Sequence, residues 1–238
     1  MAGVGVLALG PKRVKGAVMR ALVIGASGGI GAAVMAHLAA RGDDVTGLSR
    51  SRDGLDLTDE ARIAAVMGGL SGEYDLILCA TGALELAGVP PEKSLRALDA
   101  GALARQFALN ATGPALVLKQ SLRLMPKDRP ARFAALSARV GSIGDNGLGG
   151  WYAYRAAKAA LNQLIHTAAV EIARSHRQAV VVTLHPGTVA TPLTAKYAGG
   201  HPTVPPEVAA GHLVRVLEGL GPEQTGGFFD WQGKVIPW

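Results

Sequence analysis

Cysteine is almost missing from this chain: Cys79 stands alone among 238 residues. A single thiol makes no internal disulfide, which excludes the disulfide-stapled secreted scaffolds and points to a reducing compartment, here the cytoplasm. Cys79 lies in the apolar run YDLILCATG and reads as buried filler rather than as a nucleophile. No apolar run approaches the ~18 residues of a membrane helix, so no membrane span is expected. Runs of like charge are missing too. The 24 Lys and Arg residues outnumber 18 Asp and Glu, but they are scattered, with no basic run of five or more and no interleaved aromatics. That removes the usual footprint of a nucleic-acid binder and leaves a basic surface suited to an anionic small molecule. No metal site is expected.

What is abundant is apolar residues, at 49%, and glycine, at 32. In the opening stretch MAGVGVLALGPKRVKGAV the positive charges follow a short apolar run instead of preceding it, unlike a signal peptide. Residues 1–18 are therefore read as a loose N-terminal extension and 19–238 as one domain. Apolar strands are expected at 20–25, 44–50, 75–80, 131–138 and 179–187. Helices are expected from the turn after residue 25 to Gly42, and over 58–68, 99–124, 152–175 and 206–219. Uniformly apolar strands alternating with helices predict an α/β fold: a single Rossmann-type domain, doubly wound, its parallel sheet covered by helices on both faces.

Between the first strand and its helix stands VIGASGGIG. Gly25 permits a tight turn, while Gly29 and Gly31 let backbone approach a pyrophosphate and let helix pack on strand. The helix N-terminus then offers unpaired N–H groups to the anion. The second strand ends in GLSRSRDG. An acid at that end would bond a free ribose 2′-hydroxyl and favour NAD, but Ser49, Arg50 and Arg52 stand there. Guanidinium groups grip phosphate, so NADP(H) is preferred, with NAD(H) as the alternative.

The stretch GGWYAYRAAKAALNQ places Tyr154 and Lys158 four apart, on one face of a helix, with Tyr152 pointing elsewhere. A free phenol titrates near ~10. A neighbouring ammonium lowers it toward the range of a general acid–base catalyst.

From about residue 20 to 238 these motifs resemble the short-chain dehydrogenase/reductase superfamily. LSARVGSIGDNGLGGWYAYRAAKAALN is similar to the branch containing C-factor-like signalling proteins and the insect carbonyl reductase sniffer. The resemblance implies cofactor contacts from Gly25, Ser27, Gly28, Gly29, Ile30 and Gly31, and from Ser49 and Arg50. It adds Asp56 and Leu57, the CATG residues Ala80, Thr81 and Gly82, and Pro186, Gly187, Val189 and Thr191 on the nicotinamide side. It implies a catalytic set of Asn110, Ser137, Tyr154 and Lys158, of which Asn110, Tyr154 and Lys158 also face the cofactor. Tyr154 would exchange the proton, Lys158 would hold the ribose, Ser137 would polarise the carbonyl, and Asn110 would hold a water linking Lys158 to solvent.

Two departures stand out. CATG replaces an Asn-Asn-Ala-Gly run, and Ala138 occupies the family's second serine position. Ser137, at the strand end, and Ser142, in the loop, both offer a hydroxyl; the strand end fixes a side chain better, which favours Ser137. The expected activity is NADP(H)-dependent hydride transfer between nicotinamide and a carbonyl or alcohol, in a homodimer or homotetramer. The alternative is a dinucleotide-binding signalling or regulatory protein, with a nucleotide-sugar epimerase or dehydratase ranked last. The loop 190–206, with Leu193 and Tyr197, is expected to cover a pocket for a hydrophobic carbonyl compound.

Overall fold

Six parallel strands in the order β2-β1-β3-β4-β5-β6 form the sheet of the computed structural model, which describes residues 18–192, 194–197 and 202–238. All but one residue of the expected N-terminal extension, and Leu193, lie outside the described residues. The strands are β1 (Arg20–Ile24), β2 (Asp44–Leu48), β3 (Leu76–Cys79), β4 (Ala131–Leu136), β5 (Ala179–His185) and β6 (Phe228–Asp230). Residues of β3 are buried throughout, as are the first six of β5, because helices cover both faces. Helices α1 (Gly29–Ala40) and α7 (Pro206–Gly219) pack together on one face. On the other lie α3 (Glu60–Gly68), α4 (Ala100–Phe107), α5 (Gly113–Ser121) and α6 (Tyr152–Ile172), while the short α2 (Arg50–Asp53) follows β2. Two apolar clusters separate accordingly, with Leu22, Phe133 and Val181 in one and Val23, Ala134 and Val182 in the other.

The expected doubly wound α/β fold is present. Three details differ. The tail, left unassigned in the sequence, contributes β6, paired in parallel with β5. A capped turn, α2, follows β2 because Ser49 Oγ accepts the Arg52 N–H. The helix expected over 99–124 is interrupted at Ala108–Thr112 by a π turn, the kind of one-residue widening that recurs at functional sites.

Because strand order reverses between β1 and β3, their carboxyl ends open a crevice, where ligands bind in such sheets. One glycine fixes how closely the second layer meets it. A Cβ on Gly113 would lie 2.5 Å from the Leu57 carbonyl oxygen and 2.8 Å from its Cβ. Gly113→Ala would ordinarily gain about 1 kcal/mol of helix propensity. Here overpacking prevails, so the variant is expected to lose about 1–3 kcal/mol, read as a lower urea midpoint at unchanged slope.

Candidate active site

Helix α6 starts from a left-handed entry: Gly149, Gly150 and Trp151 have φ of 64°, 67° and 52°. For the glycines this is free; for Trp151 it costs about 1–2 kcal/mol. The Trp151 side chain does not cap the helix, and the buried Glu92 serves instead. The Trp151 N–H donates to the Glu92 carbonyl at 2.5 Å, and the Ala153 N–H donates to Glu92 Oε2 at 3.2 Å. A carboxylate at a helix N-terminus also meets the dipole favourably. The entry so fixed turns Tyr152 outward, 37% exposed, and Tyr154 inward, 8% exposed. Lys158, one turn on and almost fully buried, donates from Nζ to the Leu136 carbonyl at 2.8 Å, and its Nζ lies 5.7 Å from the Tyr154 ring centroid.

Burial sets the titration of both groups. It pushes the Tyr154 phenol above its ordinary value, where the motif alone predicts a lowered one. The reason is that burial desolvates the phenolate and so disfavours it. Burial also brings Lys158 down to about 8, with the nearby Cys79 opposing.

The two serines are in different situations. Ser142 Oγ accepts the Asp145 N–H at 3.1 Å and reaches toward the Trp238 carbonyl at 3.5 Å, so it builds its own loop. Ser137, buried at the carboxyl end of β4, has a hydroxyl with no hydrogen-bond partner. A buried orphan hydroxyl is a group awaiting a partner. The turn after it lies against α6, since a Cβ on Gly141 would meet Lys158 Cβ at 2.8 Å. Ser137 and Lys158 therefore flank the same strand end.

Asn110 sits in the π turn, fully buried, and its amide is committed to backbone. Its Nδ2 donates to the Ala83 carbonyl at 2.9 Å and to Gln106 Oε1, while its Oδ1 accepts the Ala83 N–H at 3.1 Å. Gln106 in turn donates to the Leu84 carbonyl at 2.9 Å. With both amide hydrogens used, the Asn110 side chain is a clip on the turn after β3. This clip, with a Cys79 Sγ to Thr81 Oγ1 contact of 3.2 Å, steadies the CATG turn that lacks the family's asparagines. Gly82 passes close by: a Cβ there would lie 2.9 Å from Asn110 Oδ1 and 3.2 Å from Lys158 Nζ. Gln106 and Glu92 carry no motif and escaped the sequence reading.

The glycine turn fits a pyrophosphate. The N-cap Gly28 makes no side-chain cap and the first turn of α1 has no acid, so its N–H groups face outward unopposed. Ser27, Gly28 and Gly29 are exposed and Ile30 partly so. A Cβ on Gly25 would lie 2.9 Å from Thr81 Cγ2 and 3.0 Å from the Ala80 carbonyl oxygen, one on Gly31 would overlap the Gly25 carbonyl, and one on Gly29 would lie 2.9 Å from Thr191 Cγ2. The turn, the 80–82 segment and the 191 loop thus converge on one crevice.

At the end of β2, Ser49 is buried, and its N–H donates to Asp53 Oδ2 at 2.6 Å. Arg50 is exposed and close enough to Asp56 to help hold that carboxyl below its usual range, after the two bonds from Thr58. Asp56 Oδ1 accepts from the Thr58 N–H and hydroxyl, and Leu57 is core. After β5, Pro186 leads into Gly187 at φ 81°, where a Cβ would meet Trp231 Cδ1 at 3.0 Å. The buried Val189 pairs with Val204, and the Thr191 N–H donates to Thr194 Oγ1 at 3.1 Å. Both tail tryptophans have stacked intrachain partners, Trp231 on His212 and Trp238 on Phe228. Among the described residues no helix is long and apolar enough to cross a membrane.

Comparison with known proteins bears on the family and on the fold. The short chain dehydrogenase family profile matches residues 54–200. The 1-hydroxy-2-glutathionyl-2-methyl-3-butene dehydrogenase of Rhodococcus sp. (strain AD45) is 32% identical over 229 residues, covering 91% of this chain and 98% of that one. The C-signal protein of Myxococcus xanthus is 37% identical over 141 residues, 59% of this chain and 81% of its own. The crystal structure of an NADPH-bound carbonyl reductase from chicken fatty liver superposes with a TM-score of 0.76 at 23% identity, over 93% of this chain and 99% of that one.

Proposed function

The chain belongs to the short-chain dehydrogenase family, and from that premise we propose that residues 19–238 form an NADP(H)-dependent reductase of carbonyl compounds, with Tyr154 as its general acid in reduction and general base in reverse. One observation carries the reading. Tyr154 and Lys158 are buried on one face of α6, beside a strand end whose Ser137 hydroxyl has no partner.

NADP(H), when bound, supplies or accepts the hydride. The residues suited to hold it are the uncapped first turn of α1, Gly82 beside Asn110 and Lys158, and the 186–191 loop, with Arg50 at the ribose end. Ser137 donates its unused hydrogen bond to the carbonyl oxygen and so draws electron density from the carbonyl carbon. Tyr154 delivers its proton to that same oxygen. The Lys158 charge stabilises the phenolate left behind. The Asn110–Gln106 network keeps the turn after β3 in place while this happens.

The direct test is a fluorescence titration with NADPH and NADH, then turnover on aldehydes and ketones. NADPH binding with carbonyl reduction is the expected result; failure of both nucleotides to bind would sink the reading. Arg50 is the cation suited to the 2′-phosphate, and Asp53 against Ser49 opposes it. Arg50→Ala is expected to weaken NADPH binding about 10–100-fold, the worth of a charged hydrogen bond or two, with a much smaller effect on NADH.

A further inference from the structure

The chemistry just described does not explain why Trp151 is held at positive φ. The two residues before it share that conformation at no strain because they are glycines. Trp151 is kept there by Glu92, a buried residue of the long loop after β3, through the two hydrogen bonds from Trp151 and Ala153. Backbone strain of this kind persists only where the surroundings over-determine it, and it clusters where a side chain has to be aimed. The indole meets the Tyr154 ring edge-on at 6.4 Å and the Tyr197 ring edge-on at 5.7 Å. Tyr197 is itself tethered: its hydroxyl donates to Glu85, and Lys196 Nζ lies 3.1 Å from the same carboxylate.

Tyr154 and Lys158, four apart, share one face of α6, and Trp151, the left-handed residue before the helix, meets the Tyr154 ring edge-on. Lys158 lies beside Gly82 and Asn110, on the side where the reductase reading puts the dinucleotide. Trp151 lies beside the Tyr154 ring, within reach of the substituents of a carbonyl compound placed at the Tyr154 hydroxyl.

We propose that Trp151, locked by Glu92 and backed by Tyr197, is a specificity-determining residue that selects carbonyl compounds bearing a flat aryl substituent over small aliphatic ones. The inference rests on the reductase reading above. A flat ring gains from an aromatic neighbour beyond the area it buries, and a short alkyl chain does not.

The test compares wild type, Trp151→Phe and Trp151→Leu, each with NADPH binding followed by fluorescence. Two readouts are taken: kcat/KM for benzaldehyde against propanal, and affinity for the unreactive benzamide against propionamide in the presence of NADP. Trp151→Leu is expected to lower both aryl-to-alkyl ratios about tenfold, and Trp151→Phe to keep most of them. Unchanged ratios in the leucine variant, or no benzamide binding by wild type, overturn the proposal and make Trp151 a packing residue. Absence of turnover on either aldehyde defeats the reductase reading instead, and the amide affinities still decide the role of Trp151.

Discussion

Tyr154→Phe is expected to lower kcat for carbonyl reduction by about 10²–10⁴-fold, the usual worth of a positioned general acid, while NADPH binding stays nearly as it was. The phenylalanine ring fills the same buried space on α6, so the helix, the Glu92 cap and the edge contact with Trp151 survive. Only the transferable proton is lost. Ser137, a hydrogen-bond donor to the carbonyl oxygen in the proposed mechanism, is not expected to replace it. Burial keeps the Tyr154 phenol protonated well beyond neutrality, the right state for giving a proton and the wrong one for taking it. Reduction is therefore expected to run at neutral pH, and alcohol oxidation to need a higher pH. Steady-state kinetics of wild type and variant in both directions check this, and a variant that keeps most of its kcat would remove Tyr154 from the chemistry.

The sequence carried the parts of this site that are local. The glycine turn lies between β1 and α1, and a Tyr and a Lys four apart on a helix share a face wherever the helix sits. What it did not carry depends on partners far along the chain. Glu92 caps α6 from 61 residues away, and nothing in its neighbourhood marks it. The π turn around Asn110 is a single extra residue in a helical period, too small a change for apolar spacing to register. The difference between the two serines lies in hydrogen bonds that spacing does not carry: the Ser142 hydroxyl accepts from Asp145, and the Ser137 hydroxyl has no partner. Three residues of β6 are strand only because β5 pairs with them. The Tyr154 titration shows the same limit. The motif supplies the ammonium, but the depth of burial that raises the phenol comes from the fold.

Lys158→Met is expected to abolish most activity and also to change how stability depends on pH. Burial brings the Lys158 ammonium to about 8 from its ordinary 10.5. Between those values the unfolded chain binds the proton and the folded one releases it, so stability rises with pH across that window. Below about 8 the folded protein carries the full burden of a buried charge, about 3 kcal/mol, partly offset by the bond to the Leu136 carbonyl. The methionine variant has no such group. Denaturant unfolding of the two proteins should therefore show wild type gaining about 2 kcal/mol on the variant from pH 7 to pH 10. A gap that stays constant would mean that Lys158 keeps its ordinary titration when buried. In the proposed mechanism the same proton acts in catalysis, with the opposite consequence. There the charge that burdens the fold is the one proposed to stabilise the Tyr154 phenolate, so kcat/KM for reduction should fall above about 8, where the fold is gaining stability. A site that trades folding free energy for a poised charge has to show these two profiles moving apart over the same pH range.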